Sequence, residues 1–368
     1  MRRAVIPLVL VALLVPAAGA QARQVPKGWL GVSFGPEYVG AHSKLTAELK
    51  RMRRSGVESA RFAVYWSSLQ PAAGQAPDYR RLDRIVAAAA RARLPLLPVV
   101  LGAPAWATLD TSRPVDVPRN PADYAAFVGG LVQRYGASGT YFKQHKKLPR
   151  VPIRTWQIWN EVSNAWYWDD SWRSAYPRLL RAAYDAIKAA DPGARVIESG
   201  LNTGAGGRSW DVLAALYQQL DAQGLGRPFD EVAAHVYTAK VPDALQVVRK
   251  TRAVTKRYGD GKRPIRITEL AWPAARGKLR DENGNTREFF AATTDKGMAK
   301  RLAAGVLLLA HRRRALGISG VDWFQWASSY KGTDDAFRYS GLRHAAHKRL
   351  TDKPAMKAFK RVARRLRK

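Results

Sequence analysis

Short apolar runs alternate along the chain with stretches in which apolar residues recur every three to four positions, and the alternation repeats eight times. The runs at 29–34, 60–66, 96–101, 155–160, 195–199, 232–237, 265–270 and 320–326 have the length and apolar density of strands buried on both faces. Helices are expected at 44–54, 79–93, 121–136, 174–190, 211–220, 242–258, 294–315 and 353–367. In the second of these, Leu82, Ile85, Val86 and Ala89 share one face, and Arg80, Arg81, Arg84 and Arg91 share the other. Ser43 stands where the first helix needs an N-cap, and Asn120 followed by Pro121 gives the third helix a cap and a first helical residue.

Eight βα units with no linker and no second composition regime predict an α/β protein, a single (β/α)8 TIM barrel filling 23–368. A doubly wound open sheet is the alternative. It needs a glycine-rich turn after the first strand, whereas Gly204-Ala205-Gly206-Gly207 follows the fifth and lacks the spacing. Long segments at 102–120, 161–173 and 271–293 leave strand ends, while helix-to-strand turns such as Asp191-Pro192-Gly193 are brief, so one end of the barrel is marked as functional. The segment 136–153, with Lys143, His145, Lys146 and Lys147, falls at the other end and reads as a solvated basic loop.

Residues 1–22 have the three parts of a secretory signal peptide: Arg2 and Arg3, an apolar run from Ala4 to Pro16, and small residues around Ala18, Ala20 and Ala22. A secreted or envelope-associated protein is expected. No apolar stretch is long enough for a membrane span. The absence of cysteine excludes disulfides, thiolate nucleophiles, Cys-ligated zinc and iron–sulfur clusters. Lys and Arg number 62 against 29 Asp and Glu, a net charge of +33 spread over the whole chain. Such a field attracts polyanions, and an anionic cell-envelope polymer is the expected partner, with generic solubility the equal alternative. Specific nucleic-acid binding is favoured by charge alone and has no supporting motif. In the last helix Met356, Phe359, Val362 and Leu366 keep helical spacing among basic residues, so it is expected to pack as the eighth barrel helix.

The histidines show no metal spacing: His344 and His347 lie three apart without acidic partners. No nucleophile elbow, phosphate loop or calcium loop is present. The chain has nine Glu, and two of them end predicted strands, Glu161 after Trp159-Asn160 and Glu269 after Ile267-Thr268. A carboxylate at the end of an apolar strand is costly unless paired or used. On strands four and seven of a barrel the two would face each other across its mouth, as glycoside hydrolysis requires of an acid and a nucleophile. Glu198, on strand five, is the rival carboxylate, and with Gly200 and Asn202 behind it a hydrogen-bonded structural role is expected.

These residues resemble the clan A retaining glycoside hydrolases, over most of 23–368. The resemblance implies Glu161, in Asn160-Glu161, as acid/base and Glu269 as nucleophile, with Asn160 on the sugar 2-hydroxyl and no cofactor. It also implies that Arg61 supports the nucleophile, that Tyr237 of His235-x-Tyr237 hydrogen-bonds it, and that Trp326, or else Trp323, forms an aromatic floor under the sugar. The stretch from Arg61 through Trp66 to Asp83 is similar to the second βα unit of members related to β-xylosidases. Val162 replaces the proline of the usual Asn-Glu-Pro. A carbohydrate substrate and a monomeric enzyme are expected. Trp66, Trp166, Trp168 and Trp326 lie at or after strand ends, where ring faces can stack on sugars, and ordinary core packing is the alternative for each. The two carboxyls are expected about 5–5.5 Å apart, with ionised Glu269 raising the pKa of Glu161. The competing readings are a structural ion-pair role for Glu161 and Glu269, and a catalytically silent barrel that binds carbohydrate or an anionic polymer.

Overall fold

Each of the eight apolar runs forms a strand in the computed structural model, which describes residues 23–108, 110–111, 115–202, 208–346 and 349–368. The expected signal peptide at 1–22, the glycine-rich 204–207 and His347 lie outside the described residues. The strands are β1 Leu30–Ser33, β2 Ser59–Tyr65, β3 Leu96–Leu101, β4 Thr155–Ile158, β5 Arg195–Ile197, β6 Val232–Val236, β7 Ile265–Leu270 and β8 Ile318–Phe324. They pair in parallel in the order β5-β4-β3-β2-β1-β8-β7-β6. Two isolated parallel bridges, Ile197 with Glu231 and Leu201 with Ala234, join β5 to β6 and close the (β/α)8 barrel.

The helices that cover it are α1 Leu45–Ser55, α2 Arg80–Ala92, α3 Pro121–Tyr135, α4 Trp172–Ala190, α5 Ser209–Ala222, α6 Val241–Arg257, α7 Asp295–Leu316 and α8 Pro354–Leu366. The Asn120 side chain caps α3 by accepting from Ala122 N–H at 2.9 Å. Ser43 does not cap α1. Lys44 occupies that position, and the Ser43 hydroxyl donates to Glu48 at 3.3 Å. In α8, Met356, Phe359, Val362 and Leu366 are buried in the common apolar cluster, as their spacing predicts. The basic segment after α3 is not a plain loop. It holds a short helix, Thr140–Gln144, because Tyr141 stacks on His145 and its hydroxyl donates to the Asp83 carbonyl at 3.0 Å. The long segment after β7 carries a hairpin, Leu279–Arg280 with Thr286–Arg287, and Ala327–Ser328, Arg343–Ala346 and Arg349–Asp352 form a small sheet after β8. Among the described residues no helix is long and apolar enough to cross a membrane.

Two polar clusters sit within the barrel wall, away from the mouth. At the amino ends of the strands, Arg266 donates to both oxygens of Asp322, at 2.8 and 3.0 Å, and Ser59 donates to Asp322 at 3.2 Å. Gly31 is required beside them, since a Cβ there would fall 1.8 Å from Asp322 Oδ1. At the sparse β5–β6 seam, the Glu198 carboxylate accepts from Ala233 N–H at 2.6 Å and Gly200 N–H at 3.1 Å. Glu198 thus takes up backbone donors where the strand ladder is interrupted. Burial pushes its pKa up to about 8 against the pull of those hydrogen bonds.

Candidate active site

Glu269 is the fifth residue of β7 and is 7% exposed at the carboxyl ends of the strands. Its Oε1 accepts from Arg61 Nη1 at 2.6 Å, and its Oε2 accepts from the Tyr237 hydroxyl. Burial, with the nearby carboxylates, pushes the Tyr237 phenol well above its ordinary pKa, so it remains a neutral donor. Arg61, from the middle of β2, is held in turn: Nε donates to Gln157 at 2.8 Å, Nη2 to Asn160 Oδ1 at 2.9 Å and Nη1 also reaches Ser33 at 3.4 Å. The guanidinium therefore ties four strands together and sets one face of Glu269.

Glu161 reaches the same space by a different route. β4 ends at Ile158, two residues before the run predicted from its apolar pattern, because Trp159 (φ 70°) and Glu161 (φ 41°) both adopt left-handed backbone. Such positions cost about 1–3 kcal/mol each for residues with a Cβ and persist only when surrounding bonds hold them. Here Trp159 N–H donates to Val100 O at 3.0 Å, and Glu161 N–H donates to Ser199 O at 2.8 Å and Gly200 O at 3.1 Å. The kink brings the carboxyl over the mouth, where Oε1 faces His235 Nδ1 at 2.6 Å. Oε2 accepts from Asn164 at 2.9 Å and from Asn202 at 3.3 Å.

The direction of the Glu161 shift differs from the expectation. Burial raises its pKa, but the His235 hydrogen bond and charge, the Asn164 hydrogen bond and the Arg61 field together bring it below the ordinary value. Like-charge repulsion from Glu269 does not set the direction, because Arg61, Tyr237, His235, Asn164 and Asn202 converge on the two carboxylates. His235 is the shared neighbour, 2.6 Å from Glu161 and 3.5 Å from Glu269 through Nδ1. Its Nε2 is buried without a hydrogen-bond partner among the described residues and presses on Gly200 (φ 70°), where a Cβ would fall 2.4 Å away.

Ligand atoms of Glu161, His235 and Glu269 all lie within 4.8 Å of one another, the one such His and carboxylate group among the described residues. Their oxygens already accept from Arg61, Tyr237, Asn164 and Asn202, and the Arg61 guanidinium supplies positive charge between the strands. That donor set suits a hydrogen-bonded carboxyl pair better than an ion cage. Beside the pair opens a cleft of about 200 Å³ lined by Phe34, Tyr65, Asn160, Tyr167, Glu269 and Phe324, among others.

Six residues singled out from the sequence, Arg61, Asn160, Glu161, His235, Tyr237 and Glu269, therefore converge. The tryptophans do not. Trp66 is fully buried, stacks on Phe127 at 5.5 Å and donates to Gln70. Trp168 is buried edge-on against Trp159 and donates to Ser171, and Trp326 is buried with its Nε1 donating to Glu48 at 3.1 Å. None of these three offers a free ring face to a sugar, and neither does the fully buried Trp323. Trp166 is 58% exposed in the segment after Glu161. The aromatic side chain at the end of β8 that lines the cleft is Phe324, two residues before Trp326. Gln157, Asn164, Asn202 and the cleft aromatics Phe34, Tyr65 and Tyr167 were not singled out. Their only signal is position, at a strand's carboxyl end or, for Asn164 and Tyr167, in the long segment that follows β4.

No family model matches the chain, and no curated protein matches it by sequence. Solved structures do. A family 39 glycoside hydrolase from Bacteroides cellulosilyticus superposes with a TM-score of 0.64 at 20% identity, over 94% of this chain and 64% of that one. A family 39 β-xylosidase from Caulobacter crescentus gives 0.62 at 17% identity, over 93% and 72%. A glucosidase from Croceicoccus marinus gives 0.66 at 14% identity, over 94% and 69%. The chain thus spans just under two thirds of the first of these proteins. At such identities the likeness is one of fold, and the fold that this chain shares with these solved structures is a (β/α)8 barrel.

Proposed function

We propose that the protein is an exported retaining glycoside hydrolase acting through Glu161 and Glu269. The observation that carries this reading is the carboxyl pair at the barrel mouth, with facing ligand atoms within 4.8 Å. Retaining enzymes hold their carboxyls about 5–5.5 Å apart, and inverting enzymes leave about 6.5–9.5 Å for a water. Glu269 attacks the anomeric carbon as the glycosidic bond breaks, and the leaving oxygen takes a proton from Glu161. Water then attacks the same carbon, gives its proton to Glu161, and the ester bond to Glu269 breaks.

Arg61 and Tyr237 hold both Glu269 oxygens in place, so little reorganisation is needed for attack. Asn160 Oδ1 is committed to Arg61, which leaves its Nδ2 donor for the sugar 2-hydroxyl. Glu161 must hold its proton to act as the acid, so the alkaline limb of a pH–rate profile reports it, and the His235 and Asn164 hydrogen bonds and the Arg61 field shift that limb to lower pH than an ordinary Glu would give. The cleft is smaller than the roughly 300–1,000 Å³ of typical ligand sites, which favours attack on a terminal sugar.

The test is hydrolysis of a panel of aryl glycosides and β-linked oligosaccharides, with NMR of the first-formed anomer. Retention of configuration is expected. Inversion overturns the double displacement, and a protein inert on the whole panel that still binds oligosaccharide is a silent barrel.

A further inference from the structure

The opposite end of the barrel holds a second concavity, of about 730 Å³. Ser59, Leu96, Thr155 and Arg195, the first residues of β2, β3, β4 and β5, lie on its wall, so it opens at the amino ends of the strands. β2 has seven residues, which at about 3.3 Å each puts the cavity about 20 Å from the catalytic mouth. Nine of its 20 lining residues are Lys or Arg and two are Glu, against 62 cations in 368 residues overall. The concentration exceeds that of an already basic chain.

Part of this charge is internally used. Glu58 pairs with Arg23 and Arg367, Glu231 with Arg195, and Arg266 with Asp322. Lys27, Arg53, Arg93 and Arg154 are exposed on the same concavity and have no ion-pair partner among the described residues. Both acids that could neutralise them are already committed. Among the described residues no aromatic side chain lines the cavity, so none of them stacks on a nucleobase there.

We infer that this amino-end cavity is a binding site for a segment of an anionic glycan polymer, one bearing phosphodiester or uronate groups, engaged through Lys27, Arg53, Arg93 and Arg154. Binding at this pole leaves the catalytic mouth facing away from the polymer. The inference goes beyond the hydrolase reading and does not depend on it.

The test is binding of fluorescently labelled polygalacturonate and poly(glycerol phosphate) as a function of salt. Wild type and the inactive Glu269→Gln variant are expected to bind alike, whatever the substrate proves to be. Replacing Lys27, Arg53, Arg93 and Arg154 together by Gln is expected to weaken binding about tenfold or more and to flatten the slope of log K against log salt by about three. Replacing Arg91, Lys143, Lys146 and Lys147 together by Gln removes as many charges from another surface and is expected to change affinity by less than about threefold. Melting temperatures verify that both variants fold. Whether uronate or phosphodiester binds tighter distinguishes the two sources of the anion. Equal losses in the two variants, or no binding at low salt, overturn the inference and leave Arg53 and Arg93 as complements to the ends of α1 and α2. Tighter binding of single-stranded DNA than of either polymer, lost in the first variant, also overturns it in favour of nucleic acid.

Discussion

Two buried arginine–carboxylate pairs sit at opposite ends of the same barrel, and they differ in what surrounds the carboxylate. Arg61 meets Glu269 at 2.6 Å and Arg266 meets Asp322 at 2.8 Å. Asp322 is fully buried, accepts from Arg266 on both oxygens and from Ser59 as well, and has Gly31 pressed against it. Nothing is left for a ligand. Glu269 is equally well held but lines a cleft and lies within reach of a second carboxyl. The same ion pair is therefore a rivet at one end and, in the proposed mechanism, a poised nucleophile at the other, and access decides which.

The largest expected effect breaks the catalytic side alone. Glu269→Gln should cut turnover by about 10³-fold or more while leaving the melting temperature near wild type, since Gln still accepts from Arg61. Steady-state kinetics and calorimetry check it, and wild-type turnover would remove Glu269 from the mechanism. Asp322→Ala should do the reverse. It strands the buried Arg266 and should cost about 3–5 kcal/mol in urea unfolding, with kcat per folded molecule little changed.

The third carboxylate of the barrel wall sharpens the contrast through pH. Glu198 has a folded pKa of about 8, above its unfolded value, so between about pH 4.5 and 8 the folded state holds a proton that the unfolded state has lost. Its contribution to stability should be fully present at low pH and decline as pH rises, by up to about 1.4 kcal/mol per unit. Glu198→Gln should remove that slope, which denaturation at several pH values across this window measures. The smallest effect separates two aromatics. Phe324→Ala should raise KM by about threefold to tenfold through lost ring contact with the sugar, with melting little altered. Trp326→Ala should leave KM unchanged in the folded fraction and destabilise the core instead.

Much of the site was legible because it is written at strand ends. Glu161 and Glu269 stand out as charges terminating apolar runs, and the period of those runs places both at one pole. Arg61 and Tyr237 followed from resemblance and hydrogen-bond Glu269, whereas the contacts of Asn160 with Arg61 and of His235 with Glu161 were not foreseen. The aromatic floor was not legible. Phe324 and Trp326 have the same parity in an extended run, but β8 ends at Phe324, and the chain beyond carries Trp326 into contact with Glu48. A burial pattern along one strand cannot report which apolar neighbours arrive from elsewhere in the chain.

The sequence by itself determined the periodicities, hence eight strands and eight helices, and the identity of the carboxylates left at strand ends, because these depend on residues within a few positions of one another. The tertiary structure alone decided the separation of Glu161 and Glu269, the direction of the Glu161 pKa shift, the Glu198 carboxylate at the barrel seam and the gathering of unpaired cations at the amino-end pole. Each of those is a sum over groups brought from distant strands, and electrostatic and packing energies depend on distances that only barrel closure sets.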